Sequence, residues 1–473
     1  MTEKSPAPAA AGDAEGRAED TPALPPGLTV EKVQRAIRVS YAQAMFGAVY
    51  GASTGGMFLI GYALMLGATD VQIGLMSTVP MLCIGVQLVT AVLVERGVSR
   101  RRLTVAGATG NVLCWLLIIL IPYALATATT NTRIGALVAI ITLVTLFAYI
   151  SGNARGSWVG DLIPASFRGS FFGRLTMYSG IVGAVFAIVE GRFLDVLKHK
   201  GIGAFSVLFA FGVLIGLVNV ALFLFQADVP VARRDGAGSP REMRDTFRNG
   251  PFMSVMGFAL LWSLQTIAGP FYSTYMIRDL HIPFLNLGLI NSIVIAAMLL
   301  SAPAWGRMID RYGCRAVLTL CSITLGFLQL VWLPVNTARE VYFIIPFANV
   351  IAGLCHGGVS VALSTLIYKV TPSAGRAIQF AVYSIIVTLA AAPMPTFGGF
   401  LPGLLQRVFP GADLRATFFA SIPFLLAAGL VARRIREPES CNTRVLLRAL
   451  PGHVRDVWQR NVPDIMPFVR GGE

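Results

Sequence analysis

The chain has 473 residues, 55% of them hydrophobic and 13% charged, against about 45–50% and 25% in a soluble protein. A mean hydropathy of +0.68 leaves more apolar side chain than one water-surrounded core can hold, which excludes a soluble enzyme and calls for lipid as solvent. The net charge of +14 would suggest nucleic acid in a soluble chain, but here the basic residues sit between apolar runs, so nucleic acid is set aside as a partner.

Residues 1–40, rich in Ala, Pro, Gly and acid, read as a disordered cytoplasmic tail. No secretory signal is visible, because the first apolar run starts near Tyr41 and is too long and too far in. Lys32, Arg35 and Arg38 before it hold the N-terminus inside. Runs of spanning length then recur at 41–66, 71–94, 103–125, 133–155, 170–193, 204–226, 251–276, 284–306, 316–335, 340–364, 376–401 and 413–433. An even number returns the C-terminus to the same side. Of the 38 Lys and Arg, 30 fall on the side of the termini and 8 on the other, which predicts a multi-pass protein of a cell or inner membrane with both termini cytoplasmic. The loop with Arg192, Lys198 and Lys200 is the one exception.

Between the sixth and seventh runs, residues 227–250 carry five arginines with Gly236, Gly238 and Pro240, a basic cytoplasmic linker. It separates 41–226 from 251–433, two stretches of nearly equal length, and a basic cytoplasmic tail, 434–473, follows. The halves keep register. Gly74-Leu75-Met76-Ser77 answers Gly288-Leu289-Ile290-Asn291, with Glu95 and Asp310 at matching distances beyond, and Pro164–Arg168 answers Pro372–Arg376. These landmarks predict an all-α membrane protein of twelve transmembrane helices, built as two six-helix bundles in a 6+6 pseudo-repeat.

The tight loop Gly306-Arg307-Met308-Ile309-Asp310-Arg311-Tyr312-Gly313-Cys314-Arg315 is the most specific local motif. In it Gly306 allows two helices to approach, Gly313 makes the turn, Asp310 suits the positive end of a helix, and Arg311 and Arg315 suit a carboxylate partner. The motif resembles the G-x-x-x-D-R-x-G-x-R loop signature of the major facilitator superfamily, and Glu95 with Arg96 and Arg100 forms a degraded copy in the first half. The stretch from Trp158 to Arg174, with Asp161 and Arg168 as a candidate charge pair, looks like the loop between helices four and five in many bacterial members. The resemblance covers roughly 41–433. It implies the family's twelve-helix fold and a solute transporter whose halves rock about a cavity lined by helices one, four, seven and ten, with Gly306, Asp310, Arg311, Gly313, Arg315, Glu95, Asp161 and Arg168 as conformational latches. Drug/proton antiporters of the family carry a G-x-x-x-G-P run in helix five and a mid-helix arginine in helix four. Here the former reads Gly180-Ile181-Val182-Gly183-Ala184, and Arg155 stands near a helix end.

Polar residues three and four apart share a helix face, and the four expected lining helices each carry such a stripe. They are Gln43, Gly47, Tyr50 and Thr54; Thr142, Thr145, Tyr149 and Gly152; Trp262, Gln265, Gly269 and Tyr272; and Asn349, Gly353, His356 and Ser360. The cavity candidates are therefore Tyr50, Thr54, Thr145, Tyr149, Trp262, Gln265, Tyr272, Asn349 and His356. Close helix packing is the competing reading of each stripe. Glu190 is the one acid in the interior of an apolar run and the candidate coupling group for a proton or sodium ion; reaching the outer interface or pairing with Arg192 is the alternative.

Neither a phosphate-binding loop nor an H-E-x-x-H helix occurs, and neither enzyme activity nor a cofactor is expected. The four histidines are scattered and the six cysteines lie in apolar runs, loops or the tail, so neither a metal site nor a disulfide framework is expected. The expectation is a secondary transporter, functional as a monomer in contact with membrane lipids, for a small uncharged or amphipathic organic solute. A non-transporting sensor or scaffold of the same fold, or a partner of another membrane system, is the alternative.

Overall fold

The protein is described from a computed structural model over residues 30–163, 168–226, 250–371, 376–435 and 437. Among these residues twelve helices are long and apolar enough to cross a membrane: α1 Glu31–Met65, α2 Asp70–Val94, α3 Arg100–Ala124, α4 Thr130–Val159, α5 Ser170–Val196, α6 Ile202–Leu224, α7 Gly250–Asp279, α8 Phe284–Tyr312, α9 Cys314–Trp332, α10 Ala338–Val370, α11 Gln379–Gln406 and α12 Arg415–Ala432. Short polar residues start several of them. Thr69 caps α2 in a reciprocal box with Gln72, Thr129 caps α4, and Thr337 and Glu340 form a second box at α10. Gly313, at φ 84°, ends α8 and opens α9, so the turn expected there is present.

Helix formation begins at Val30, not near residue 41 as the composition of the tail suggested. The reason is a hidden apolar face: Val33, Ala36 and Ser40 are buried, and Ala36 packs with Val159, Leu162, Ile163 and Phe171. Lys32, Arg35 and Arg38 take the other faces and depress the average hydropathy. At the other end of the chain, Ile435 and Glu437 are buried beyond the expected last span. The tail before residue 30, the linker 227–249 and residues 438–473 lie outside the described residues.

Several helices are broken within their spans. Gly56, at φ 52°, interrupts α1 between Thr54 and the segment Gly56–Met65. Pro80 precedes a 3-10 turn at Cys83–Gly85 in α2. In α7 a 3-10 turn at Leu264–Ile267 and a π turn at Tyr275–Asp279 flank Gly269–Thr274, the kind of irregularity that frees backbone groups near a cavity.

The first six helices meet the last six chiefly along two seams, with α7 also against α1 and α2. In one, α5 lies against α8, with Gly191 facing the Phe284 backbone and Gly288 the Ala187 backbone. In the other, α2 lies against α11, with Gly74 facing Pro395 and Gly399 facing the Asp70 backbone. A side-chain carbon at any of these four positions would come within 3 Å of backbone on the other side, so only glycine permits the approach. Polar contacts reinforce the seams. Both carboxylate oxygens of Asp195 accept from the backbone N–H groups of Phe284 and Leu285 at 3.0 and 2.9 Å, capping α8 from α5. Arg278 pairs with Asp70 at 2.5 Å, and Thr396 donates to Thr78 at 2.8 Å.

These contacts run from mid-depth to the face where α1 ends and α2 begins. Toward the opposite ends of α5 and α8 nothing lies within 4 Å of a side-chain carbon built at Gly173 or Gly306. Gly306 therefore does not bring two helices together here, contrary to expectation.

Candidate functional site

A cavity of about 550 Å³ lies within the second half, walled by α7, α8, α9 and α10. Trp262 leans edge-on against His356 with ring centres 5.6 Å apart, and Phe258 stacks behind the indole. Deeper in, the Tyr272 hydroxyl donates to Gln329 Oε1 at 2.6 Å, while its ring stacks on Phe418 at 4.4 Å and lies beside Trp332. Asn349 donates to the Ile290 carbonyl at 2.9 Å across the α8–α10 wall.

The broken course of α7 carries Trp262, Gln265 and Tyr272 into one wall, and all three line the cavity together with Asn349 and His356. Gly269 lines it as well, whereas Gly353 packs on α8 and Ser360 is exposed. Sequence reasoning missed Asn291, Gln329 and Trp332, because α8 and α9 were not among the expected lining helices. The signal available was polarity inside apolar runs, with Asn291 already standing in the repeated motif. No Asp, Glu, Lys or Arg side chain belongs to the wall. The imidazole Nδ1 of His356 has no hydrogen-bond partner, so a ligand hydroxyl or amide would find an unmatched ring nitrogen between aromatic surfaces.

The first-half candidates do not join this cavity. Tyr50 donates to Asn111 at 2.7 Å in a separate recess of about 190 Å³ between α1, α3, α4 and α6. Thr54 is buried against Gly212 of α6, with its hydroxyl turned back on the Tyr50 carbonyl. Thr145 likewise bonds its own helix, and Tyr149 is half-buried. Neither lines either space. These faces serve helix packing or the smaller recess.

Glu190 is buried on α5, and the alternatives of an interface position or a pair with Arg192 do not hold. Its Oε1 lies 2.5 Å from the Ser53 hydroxyl of α1, its Oε2 has no partner, and Arg192 is exposed. Ser53 also donates to the Val49 carbonyl at 2.9 Å.

In the loop motif, Asp310 and Arg311 are exposed, and Arg311 lies over the Tyr312 ring. The carboxylate that caps α9 is instead Glu437, which accepts from the Arg315 N–H at 2.9 Å and pairs with Lys369 of α10 at 3.3 Å. A residue beyond the last span thus fills the role expected of Asp310. The side chains of Glu95, Asp161 and Arg168 lie outside the described residues.

Residues 255–448 match the family model described as Major Facilitator Superfamily. Solved structures similar to the chain include a D-xylose–proton symporter, with a TM-score of 0.66, 12% identity and coverage of 87% of this chain and 99% of that one. A bacterial homologue of the human lysosomal transporter Spinster, inward-facing and unoccupied, gives 0.62 at 15% identity, covering 88% and 100%. The nucleoside transporter NupG gives 0.60 at 13% identity, covering 85% and 98%. No curated protein matches the chain significantly. The sequence over 255–448 is thus similar to the major facilitator superfamily, and the chain has the multi-pass helical fold of these solved structures.

Proposed function

We propose that the chain is a secondary transporter that moves a small uncharged or amphipathic organic solute by alternating access. The observation that carries this reading is the aromatic and amide-lined cavity of about 550 Å³, free of Asp, Glu, Lys and Arg side chains, in a molecule whose halves meet along glycine seams. Aromatic walls favour an apolar or sugar-like body, and the amides of Gln265 and Asn349 with His356 would orient its hydroxyl or amide groups. The two bundles, 41–226 and 251–433, rock against each other as rigid units of a monomer in the inner membrane. With both termini cytoplasmic, as the basic residues suggest, the face closed by the two seams is the outer one. Glu190 is the coupling group, taking a proton or binding a sodium ion at the α1–α5 contact. The latch residues Gly306, Asp310, Arg311, Gly313, Arg315, Glu95, Asp161 and Arg168 act when the opposite face closes.

The test is thermal unfolding of the purified protein in detergent with a chemically diverse solute panel, at two pH values and with or without sodium. A ligand at 100 times its Kd stabilises by about 2.7 kcal/mol. The expected result is a shift by one solute class that Trp262→Ala abolishes and that accompanies uptake of the same solute into proteoliposomes. A panel without any shift, with no uptake by intact protein, would overturn the reading.

A further inference from the structure

The smaller recess in the first half has a feature that the solute cavity lacks. Arg155 of α4 lines it beside Tyr50, Asn111, Ser151 and Asn219. By helical rise the residue stands about 10 Å from the end of its helix at Leu162, and its guanidinium lies over the Phe223 ring of α6, 5.6 Å from the centre. Among the described residues no carboxylate pairs with it. A guanidinium stays protonated, and an unpaired charge enclosed by membrane helices is costly unless a counter-charge visits it.

The surrounding polar groups sort into used and unused. Tyr50 donates to Asn111, Asn111 to the Val144 carbonyl at 2.7 Å, and Ser151 to the Thr104 carbonyl at 3.0 Å, so these three are occupied. Asn219 is not: its side-chain oxygen is buried without a partner. The aromatic contact uses the face of the guanidinium and leaves its N–H edge available. At the wall Gly152 has nothing within 4 Å of where a side-chain carbon would stand, so the space beside Arg155 stays open.

We infer that this recess is an anion subsite, in which Arg155 binds a carboxylate or phosphate group. Arginine holds such a group through two parallel N–H bonds, and the Asn219 oxygen, an acceptor, is left for a hydroxyl carried by the same ligand. The volume of about 190 Å³ suits an oxyanion head and little more. For the role of the anion the inference rests on the transporter reading: it narrows the solute to an amphipathic acid or makes the anion a second cargo. The binding itself is independent of that reading.

The test is titration of the purified, delipidated protein with inorganic phosphate, benzoate, uncharged benzamide and a short-chain phosphatidic acid, read by thermal midpoint and calorimetry. The expected result is binding of phosphate or benzoate but not benzamide, weakened tenfold or more in Arg155→Gln. Arg155→Lys should retain part of the affinity. Gly152→Val should weaken it, and Trp262→Ala should leave it unchanged. Phosphate and phosphatidic acid binding without benzoate would make the source a phosphate group, and binding of phosphatidic acid alone would make it a lipid headgroup and overturn a soluble anion as the ligand. Absence of anion binding by folded wild-type protein, or full binding by folded Arg155→Gln, would overturn the site. Anion binding intact without any solute uptake would instead count against the transporter reading alone.

Discussion

Ser53 has one hydroxyl proton and two oxygens within reach, the Val49 carbonyl at 2.9 Å and Glu190 Oε1 at 2.5 Å. That proton cannot serve both. Were Glu190 to take a proton, its carboxyl O–H would donate to Ser53 and leave the Ser53 proton for Val49, and no buried cation would be required to balance a carboxylate. Asp195, on the same helix, is engaged at the start of α8 and Arg192 is exposed, so neither neutralises Glu190. Glu190→Gln, which resembles the protonated form, should therefore keep the present state and solute exchange across proteoliposome membranes. Net uptake driven by a pH gradient should be lost. Gradient-driven uptake unchanged in Glu190→Gln would remove the residue from coupling.

Whole helices are held in place by contacts of quite different strength. Gly191→Leu would drive a side chain into the Phe284 carbonyl, which lies 2.5 Å from the new carbon, so the α5–α8 seam would be forced apart. A cysteine at Thr78, buried in this state, should then label rapidly with a water-soluble thiol reagent, whereas Gly306→Leu, facing open space, should leave the labelling slow. Equal labelling of both would argue against the seam. At the other face Glu437 caps α9 and is almost fully buried, while its partner Lys369 is 44% exposed. Glu437→Ala should lower stability by about 1 kcal/mol through loss of the cap. Lys369→Ala should cost well under 1 kcal/mol, because an exposed ion pair contributes little, and thermal midpoints of the two variants check the order.

The elements were the most legible part of the sequence. Twelve apolar runs became twelve helices because burial in lipid demands length and composition that an averaged hydropathy captures. The start of α1 escaped, since an average cannot see that Val33 and Ala36 share a face which Lys32 and Arg35 avoid. In the site, the stripes on α7 and α10 identified Trp262, Gln265, Tyr272, Asn349 and His356. The same pattern on α1 and α4 selected residues that meet α6 or their own backbone, because periodicity gives a polar face but not what stands opposite. The cap on α9 was beyond reach for a related reason. Glu437 and Arg315 are brought together by the packing of α12, and no spacing rule links positions so far apart.

At the scale of the molecule, the two seams imply that the halves separate only if both open together. Thr78 of α2 and Thr396 of α11 have hydroxyls 2.8 Å apart across one of them. A cysteine pair at these positions should cross-link in high yield under mild oxidation and arrest solute exchange, and a reductant should restore it. Exchange that continues in the fully cross-linked protein would mean that this seam need not open. The glycine approach at Gly74 and Gly399 is dispersive and backbone-to-backbone, and the ionic contribution at Arg278 is half-exposed, so raised salt should weaken the seal only slightly.

A transporter of this kind, sealed by glycine seams toward one face and opening toward the other, would occupy unequal areas in the two leaflets around it. Switching states would transfer that excess area from one leaflet to the other. The surrounding lipid is then a party to the equilibrium, and cone-shaped lipids confined to one monolayer would bias the conformation without touching either recess.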